Sequence, residues 1–130
     1  MASGLDTAEL VDRARSLAPR IAQRAAQSEV SRAPMDETIQ DLIDAELFQT
    51  LVPKRWGGHE LSFDAHSQIV SIISAADVST DWITAFYMGH NWIANKWSEK
   101  AQAEIFADRP YSLMPVATMP TNKAQKVPGG

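Results

Sequence analysis

Few residues in this sequence carry chemistry. There are three histidines, His59, His66 and His90, and no cysteine. The missing thiol excludes a disulfide framework, a thiolate zinc site, an iron–sulfur cluster and a cysteine nucleophile. The histidine spacing matches no metal motif, and neither an HExxH helix nor an EF-hand loop occurs, so no metal site is expected. His59 follows Gly57-Gly58 and reads as a solvated loop residue, and His66 reads as a helix-surface residue.

His90 differs, because it stands in Gly89-His90-Asn91-Trp92, inside the most apolar stretch of the chain. An unpaired polar ring in an apolar setting costs a few kcal/mol, so it must find a partner. One solution is a core histidine bonded to a backbone carbonyl. The other is a ligand. Trp82 lies eight residues earlier, which on a helix puts the two side chains within about 80° of each other. An indole wall with one placed imidazole suits a flat, hydroxyl-bearing molecule. Ser, His and Asp are all present, but no GxSxG elbow, GxGxxG turn or P-loop occurs. The carboxylate pairs Asp41/Asp44 and Asp36/Glu37 read as solvated faces, and Trp56, Trp92 and Trp97 as core or interface.

The elements that must position these groups are helical. Leu10, Ala14, Leu17, Ile21 and Ala25 recur at three- and four-residue steps and define a first helix. Thr7 is its expected cap, and Pro19 predicts a kink or a division into two shorter helices. A second helix starts near Asp36, with Ile39, Leu42, Ile43 and Leu47 on one face. Leu51 to Gly58, LVPKRWGG, is a loop. Ser62 precedes a third helix with Ala65, Ile69, Ile72, Ile73 and Ala76 as its apolar face. A fourth runs from about Asp81 to Lys96, capped by Ser79 or Thr80. It is apolar nearly all round, so it is buried or lines something. Ser98 caps a short fifth helix through Phe106.

From Pro110 onward the chain carries four of its seven prolines, and Tyr111 to Ala117 is predicted as one short strand. A lone strand leaves its backbone groups unpaired. The expected fold is therefore all-α, with a helical domain over 1–110, and the strand either pairs with something absent or puts 111–130 at the threshold of a second domain.

Composition sets the class. The chain has 130 residues, 45% hydrophobic and 22% charged, enough for a single core. Twelve basic and sixteen acidic side chains give −4, so a nucleic-acid partner is not expected. No run of about 18 apolar residues exists, so no membrane span is expected. The N-terminus lacks the pattern of a secretory signal, and the expected location is cytoplasmic.

The LVPKRWGG loop followed by a capped apolar helix resembles the N-terminal helical domain of the acyl-CoA dehydrogenase superfamily, through Leu51, Pro53, Trp56, Gly57 and Gly58. Trp82, the Gly89–Trp92 run, the Lys100–Ile105 run and Met119-Pro120-Thr121-Asn122-Lys123-Ala124 are similar to the flavin-dependent monooxygenase branch, the oxygenase components of two-component aromatic hydroxylases. That resemblance implies reduced FAD or FMN delivered by a separate reductase, an aromatic substrate and a homotetramer for the full-length protein. It implies that Trp82, Phe86 and His90 line the substrate pocket, with His90 catalytic. It also implies that Val116, Thr118, Pro120 and Thr121 first touch the flavin. Asn122 departs from the glycine that many relatives carry there, although Asn tolerates positive φ better than most residues. The central β domain and C-terminal bundle of that fold lie outside these residues, so the 130 residues alone are expected to hold flavin weakly and to be inactive. Two alternatives are an acyl-CoA dehydrogenase that oxidises a thioester and a non-catalytic helical interaction module.

Overall fold

The computed structural model describes residues 4–117, 119 and 121–129. Among these, the chain forms five α-helices: α1 (Thr7–Ser31), α2 (Asp36–Asp44), α3 (Phe63–Ala76), α4 (Val78–Ala94) and α5 (Glu99–Ile105). Short 3₁₀ turns at Leu47–Gln49 and Lys54–Trp56 shape the connection from α2 to α3.

Helix α1 is one element of 25 residues that runs through Pro19, where a kink or two helices was expected. Proline removes one backbone bond at a cost of about 3 kcal/mol. Leu10, Ala14, Leu17 and Ile21 lie on both sides of it and are all buried. Each large apolar side chain buried this way contributes about 1.5–3 kcal/mol, so the stripe outweighs the single lost bond. The cap is Asp6 rather than Thr7. Asp6 Oδ1 accepts from the Glu9 N–H at 2.9 Å, and Glu9 Oε2 accepts from the Asp6 N–H at 2.8 Å. Asp6 wins because Glu9 stands three helical positions beyond it, where the reciprocal bond closes.

Helix α4 begins at Val78, with a single residue between it and the end of α3, and its cap is that residue, Asp77, rather than Ser79 or Thr80. Asp77 Oδ2 accepts from both the N–H and the hydroxyl of Thr80, at 2.8 and 2.6 Å. One carboxylate thus satisfies a helix-start donor and lets α3 turn directly into α4.

The main core joins Leu10, Ala14 and Ile21 of α1 to Leu42, Phe48, Ile69, Ile73 and Met88. A smaller cluster of Val52, Ala94 and Phe106, with Trp56 and Met114 against it, closes the end near α5. α3 packs most extensively on α1 and next on α4, which makes it the central helix. No strand forms among the described residues. The segment predicted as a strand, 111–117, is an unpaired stretch with no ladder partner beside it. No helix among the described residues is long and apolar enough to cross a membrane.

Candidate functional site

One helix separates the core from an open face. The inward side of α4 carries Thr84, Met88, Asn91 and Ala94, all buried. Its outward side carries Trp82, 65% exposed, and Phe86, 45% exposed. The four-residue step that stacks side chains along a helix puts Trp82, Phe86 and His90 in one row. The Trp82 and Phe86 rings lie 4.8 Å apart at 36°, and the Phe86 and His90 rings 5.5 Å apart at 70°. The sequence-predicted wall is therefore brought together. It is not sealed inside the domain: its indole end is open, and only His90 at the other end is buried.

His90 has its carbonyl partner. Its Nδ1 lies 2.8 Å from the carbonyl oxygen of Met114. A carbonyl only accepts, so Nδ1 donates and the neutral ring carries its proton there. Nε2 is then left as a hydrogen-bond acceptor with no partner among the described residues. The carbonyl-bonded fate expected of this histidine is thus met at Nδ1.

The neighbouring residue was missed by sequence reasoning. Asn91 is fully buried. Its Nδ2 donates to the carbonyls of Phe48 and Tyr87 at 3.1 and 2.9 Å, and its Oδ1 accepts from the Ser112 N–H at 2.8 Å. His90 and Asn91 together hold residues 112–114 along α4 in place of a strand ladder. The signal was available, because Asn91 is a second polar group in the same apolar stretch and had to be satisfied too.

Gln102 was also missed. Its Oε1 accepts from Arg55 Nη2 at 2.7 Å and from Trp56 Nε1 at 3.0 Å, and its Nε2 donates to the carbonyls of Asn95 and Trp97. This one amide locks the LVPKRWGG loop to the α4–α5 corner. In that loop Gly57 takes φ +86°, and a Cβ on Gly58 would overlap the Val52 carbonyl. Both glycines are required by the local path.

The other histidines depart from expectation. His59 is buried, at 4% exposure, and not solvated. Its Nδ1 accepts from the Leu5 N–H at 3.1 Å, and Glu46 Oε2 lies 3.1 Å from Nε2. Burial pushes its pKa below the ordinary value, and the Glu46 carboxylate opposes this. His66 is partly buried, with Nε2 3.3 Å from the Ala85 carbonyl. Burial raises the carboxyl pKa of Asp81, while Ser74 and His66 act in the opposite direction. Asp41 sits between Arg20 and Arg24 at 3.3 and 2.7 Å rather than on a plain solvated face. Asp36 and Glu37 are exposed. Trp56 packs in the second core cluster, whereas Trp92 and Trp97 are partly exposed.

Of the residues expected at a flavin, Val116 and Thr121 are exposed. Thr118 and Pro120 lie outside the described residues. No group of three or more His, Asp or Glu that would hold a metal occurs among the described residues. A groove of about 540 Å³ between the end of α1 and the start of α4 includes Glu29, Arg32, Asp77 and Ile83, and does not reach His90.

Residues 6–108 match the family model described as acyl-CoA dehydrogenase, N-terminal domain. A pigment production hydroxylase from Rhodococcus sp. (strain ATCC 21145) is 49% identical over 122 residues, covering 94% of this chain and 32% of that protein. The oxygenase subunit HsaA of a flavin-dependent monooxygenase from Mycobacterium tuberculosis (strain CDC 1551 / Oshkosh) is 30% identical over 119 residues, covering 88% of this chain and 29% of that protein. The solved structure of XiaF from Streptomyces sp., in complex with FADH2 and glycerol, superposes with a TM-score of 0.77 at 30% identity, covering 80% of this chain and 26% of that one. The chain spans about a third of the length of the curated relatives it matches. The helix order, the LVPKRWGG loop and the matched span together mean that the chain belongs to the acyl-CoA dehydrogenase family, as its N-terminal domain.

Proposed function

We propose that this chain forms one wall of the substrate site in the oxygenase component of a flavin-dependent aromatic hydroxylase. The observation that carries the reading is the Trp82–Phe86–His90 row, with Nδ1 of His90 committed to Met114 and Nε2 left to accept. The relatives named as hydroxylases and monooxygenases support it.

In this reading a phenolic substrate lies against Trp82 and Phe86, and its O–H donates to Nε2 of His90. Accepting that proton makes the ring more electron-rich and readier to be hydroxylated. The Met114 carbonyl fixes the tautomer and the ring plane, so the acceptor is positioned before substrate arrives. The two aromatic side chains exclude water from one side of the site.

The residues that would hold a reduced flavin, FAD or FMN, are Val116, Thr118, Pro120 and Thr121. The backbone groups of Val116 and Ala117 find no partner among the described residues, which suits the polar edge of a flat heterocycle. Such a cofactor, supplied by a separate reductase, would activate oxygen. A homotetramer is part of the same proposal.

The test is His90→Ala and His90→Gln in the full-length protein, supplied with reduced FAD or FMN, oxygen and a phenol. Product yield falls and released hydrogen peroxide rises in His90→Ala, with partial recovery in His90→Gln. Unchanged coupling in both variants removes His90 from the reaction. Bleaching of oxidised flavin by an acyl-CoA would assign the protein to thioester oxidation instead.

A further inference from the structure

Gly89 stands near the centre of α4, and nothing within the described residues requires a glycine there. Gly57 is needed for its positive φ, and Gly58 because a side chain would strike Val52. Gly89 has helical backbone angles, and a Cβ added to it would meet nothing within 4 Å. Glycine is among the poorest residues for a helix interior, so this position carries a conformational cost without a return inside the chain.

Its surroundings say where a return would come from. Gly89 lies seven residues beyond Trp82, so it falls about 20° from Trp82 around the helix axis. Phe86 is the exposed aromatic side chain one turn before it, and Ile93 is the exposed aliphatic one turn after it. The outward stripe of α4 is thus apolar and bulky on both sides of Gly89, with bare backbone between. The adjacent residue, His90, has its Nδ1 committed to Met114, which leaves Nε2 to accept, and its ring lies 5.5 Å from that of Phe86.

We infer that Gly89 is a specificity-determining position of the site proposed above: a notch in which the second ring of a fused aromatic ligand lies against the backbone of α4. A polypeptide segment crossing the stripe would also tolerate a glycine, but it has no need of a single hydrogen-bond acceptor at one end of an otherwise apolar row. A flat molecule with one hydroxyl uses both features. The inference rests on the reading of Trp82, Phe86 and His90 as a substrate wall.

The experiment is equilibrium dialysis of phenol and of 1-naphthol against the full-length protein without flavin, for the parent, Gly89→Ala and Gly89→Val. The parent binds 1-naphthol more tightly than phenol. Gly89→Val weakens 1-naphthol at least tenfold and leaves phenol within twofold, and Gly89→Ala falls between. The thermal midpoint of Gly89→Ala stays level or rises, because alanine favours the helix. The inference is overturned if neither variant changes 1-naphthol binding, or if the parent binds neither compound. It is also overturned if Gly89→Ala lowers the midpoint, which would place polypeptide in the notch. Hydroxylation is assayed separately. Loss of the notch with intact hydroxylation sinks only this inference, whereas ring-selective binding without hydroxylation sinks only the reaction.

Discussion

The Leu5 N–H donates to Nδ1 of His59 across 54 residues of sequence, at 3.1 Å, and ties the start of the chain to the loop before α3. The geometry sets the protonation state. Nδ1 must stay unprotonated to accept from Leu5, so a doubly protonated ring would set one N–H against another. Burial acts in the same direction and lowers the pKa. Glu46 opposes it, Arg13 adds to it, and Glu9 opposes it weakly.

Stability should therefore depend on pH through this ring. A histidine whose folded pKa is depressed gives stability that is fully present above its unfolded value, about 6.5, and is lost as pH falls through the folded value. Urea unfolding at pH 7.5, 6.5 and 5.5 should show a steeper acid loss in the parent chain than in His59→Leu. The variant starts less stable at pH 7.5, because the Leu5 N–H loses its acceptor. Parallel pH profiles for the two proteins would refute this role of His59.

Gln102 is expected to be far less replaceable than its place in a polar helix suggests. Gln102→Leu keeps the volume but leaves Arg55 Nη2, Trp56 Nε1 and the carbonyls of Asn95 and Trp97 without this partner. An unsatisfied buried donor or acceptor costs about 1–3 kcal/mol, and some of these groups will find water. A net loss of about 2 kcal/mol is expected from the shift in urea midpoint. The fluorescence of Trp56 should move to the red as the loop loosens. A midpoint within experimental error of the parent would show that the lock is dispensable.

How much of this was legible in sequence follows from the range of each interaction. Helical stripes are local, and Leu10, Ala14, Leu17, Ile21, Ala65, Ile69 and Ile73 are buried as their spacing predicts. His59 was misread because a loop has no periodicity, and its burial is imposed by Leu5 and Glu46, which lie far away in sequence. Gln102 gave no signal, since two of its partners stand 46 and 47 residues earlier. The aromatic row of α4 was visible, but not its exposure. An apolar helix reads the same whether its outward face meets a core, a ligand or solvent. The strand expected at Tyr111–Ala117 does not form among the described residues, because strand-like composition does not supply a pairing partner.

Gly58 should tolerate no side chain. An added methyl group would overlap the carbonyl of Val52, and that carbonyl already accepts from the Glu60 N–H at 2.9 Å. The conflict is with backbone and cannot be relieved by a rotamer change. Gly58→Ala should cost about 2–3 kcal/mol, in the range of overpacking in a tight interior. Gly89→Ala is the control, because its methyl group meets open space. A lowered midpoint for Gly58→Ala beside a level or raised one for Gly89→Ala is the expected result, and equal destabilisation would contradict it.

Asn91→Leu separates the anchoring of residues 111–114 from the role proposed for His90. The substitution keeps an apolar fit against Phe48 and removes all three hydrogen bonds, including the one from Ser112. Two buried carbonyls and one N–H then lack this amide, and a cost of about 2–4 kcal/mol is expected. Residues 111–114 would be held by the His90–Met114 bond and by the packing of Tyr111 and Leu113 on the core. Limited proteolysis should then cut this segment faster than in the parent. His90→Phe should loosen the same segment less, because it removes one bond to a partly exposed carbonyl and leaves Asn91 in place. If His90→Phe loosens the tail as much as Asn91→Leu, the imidazole is mainly a structural clamp. If only Asn91→Leu does so, Nδ1 serves chiefly to aim the ring, as the hydroxylase reading requires.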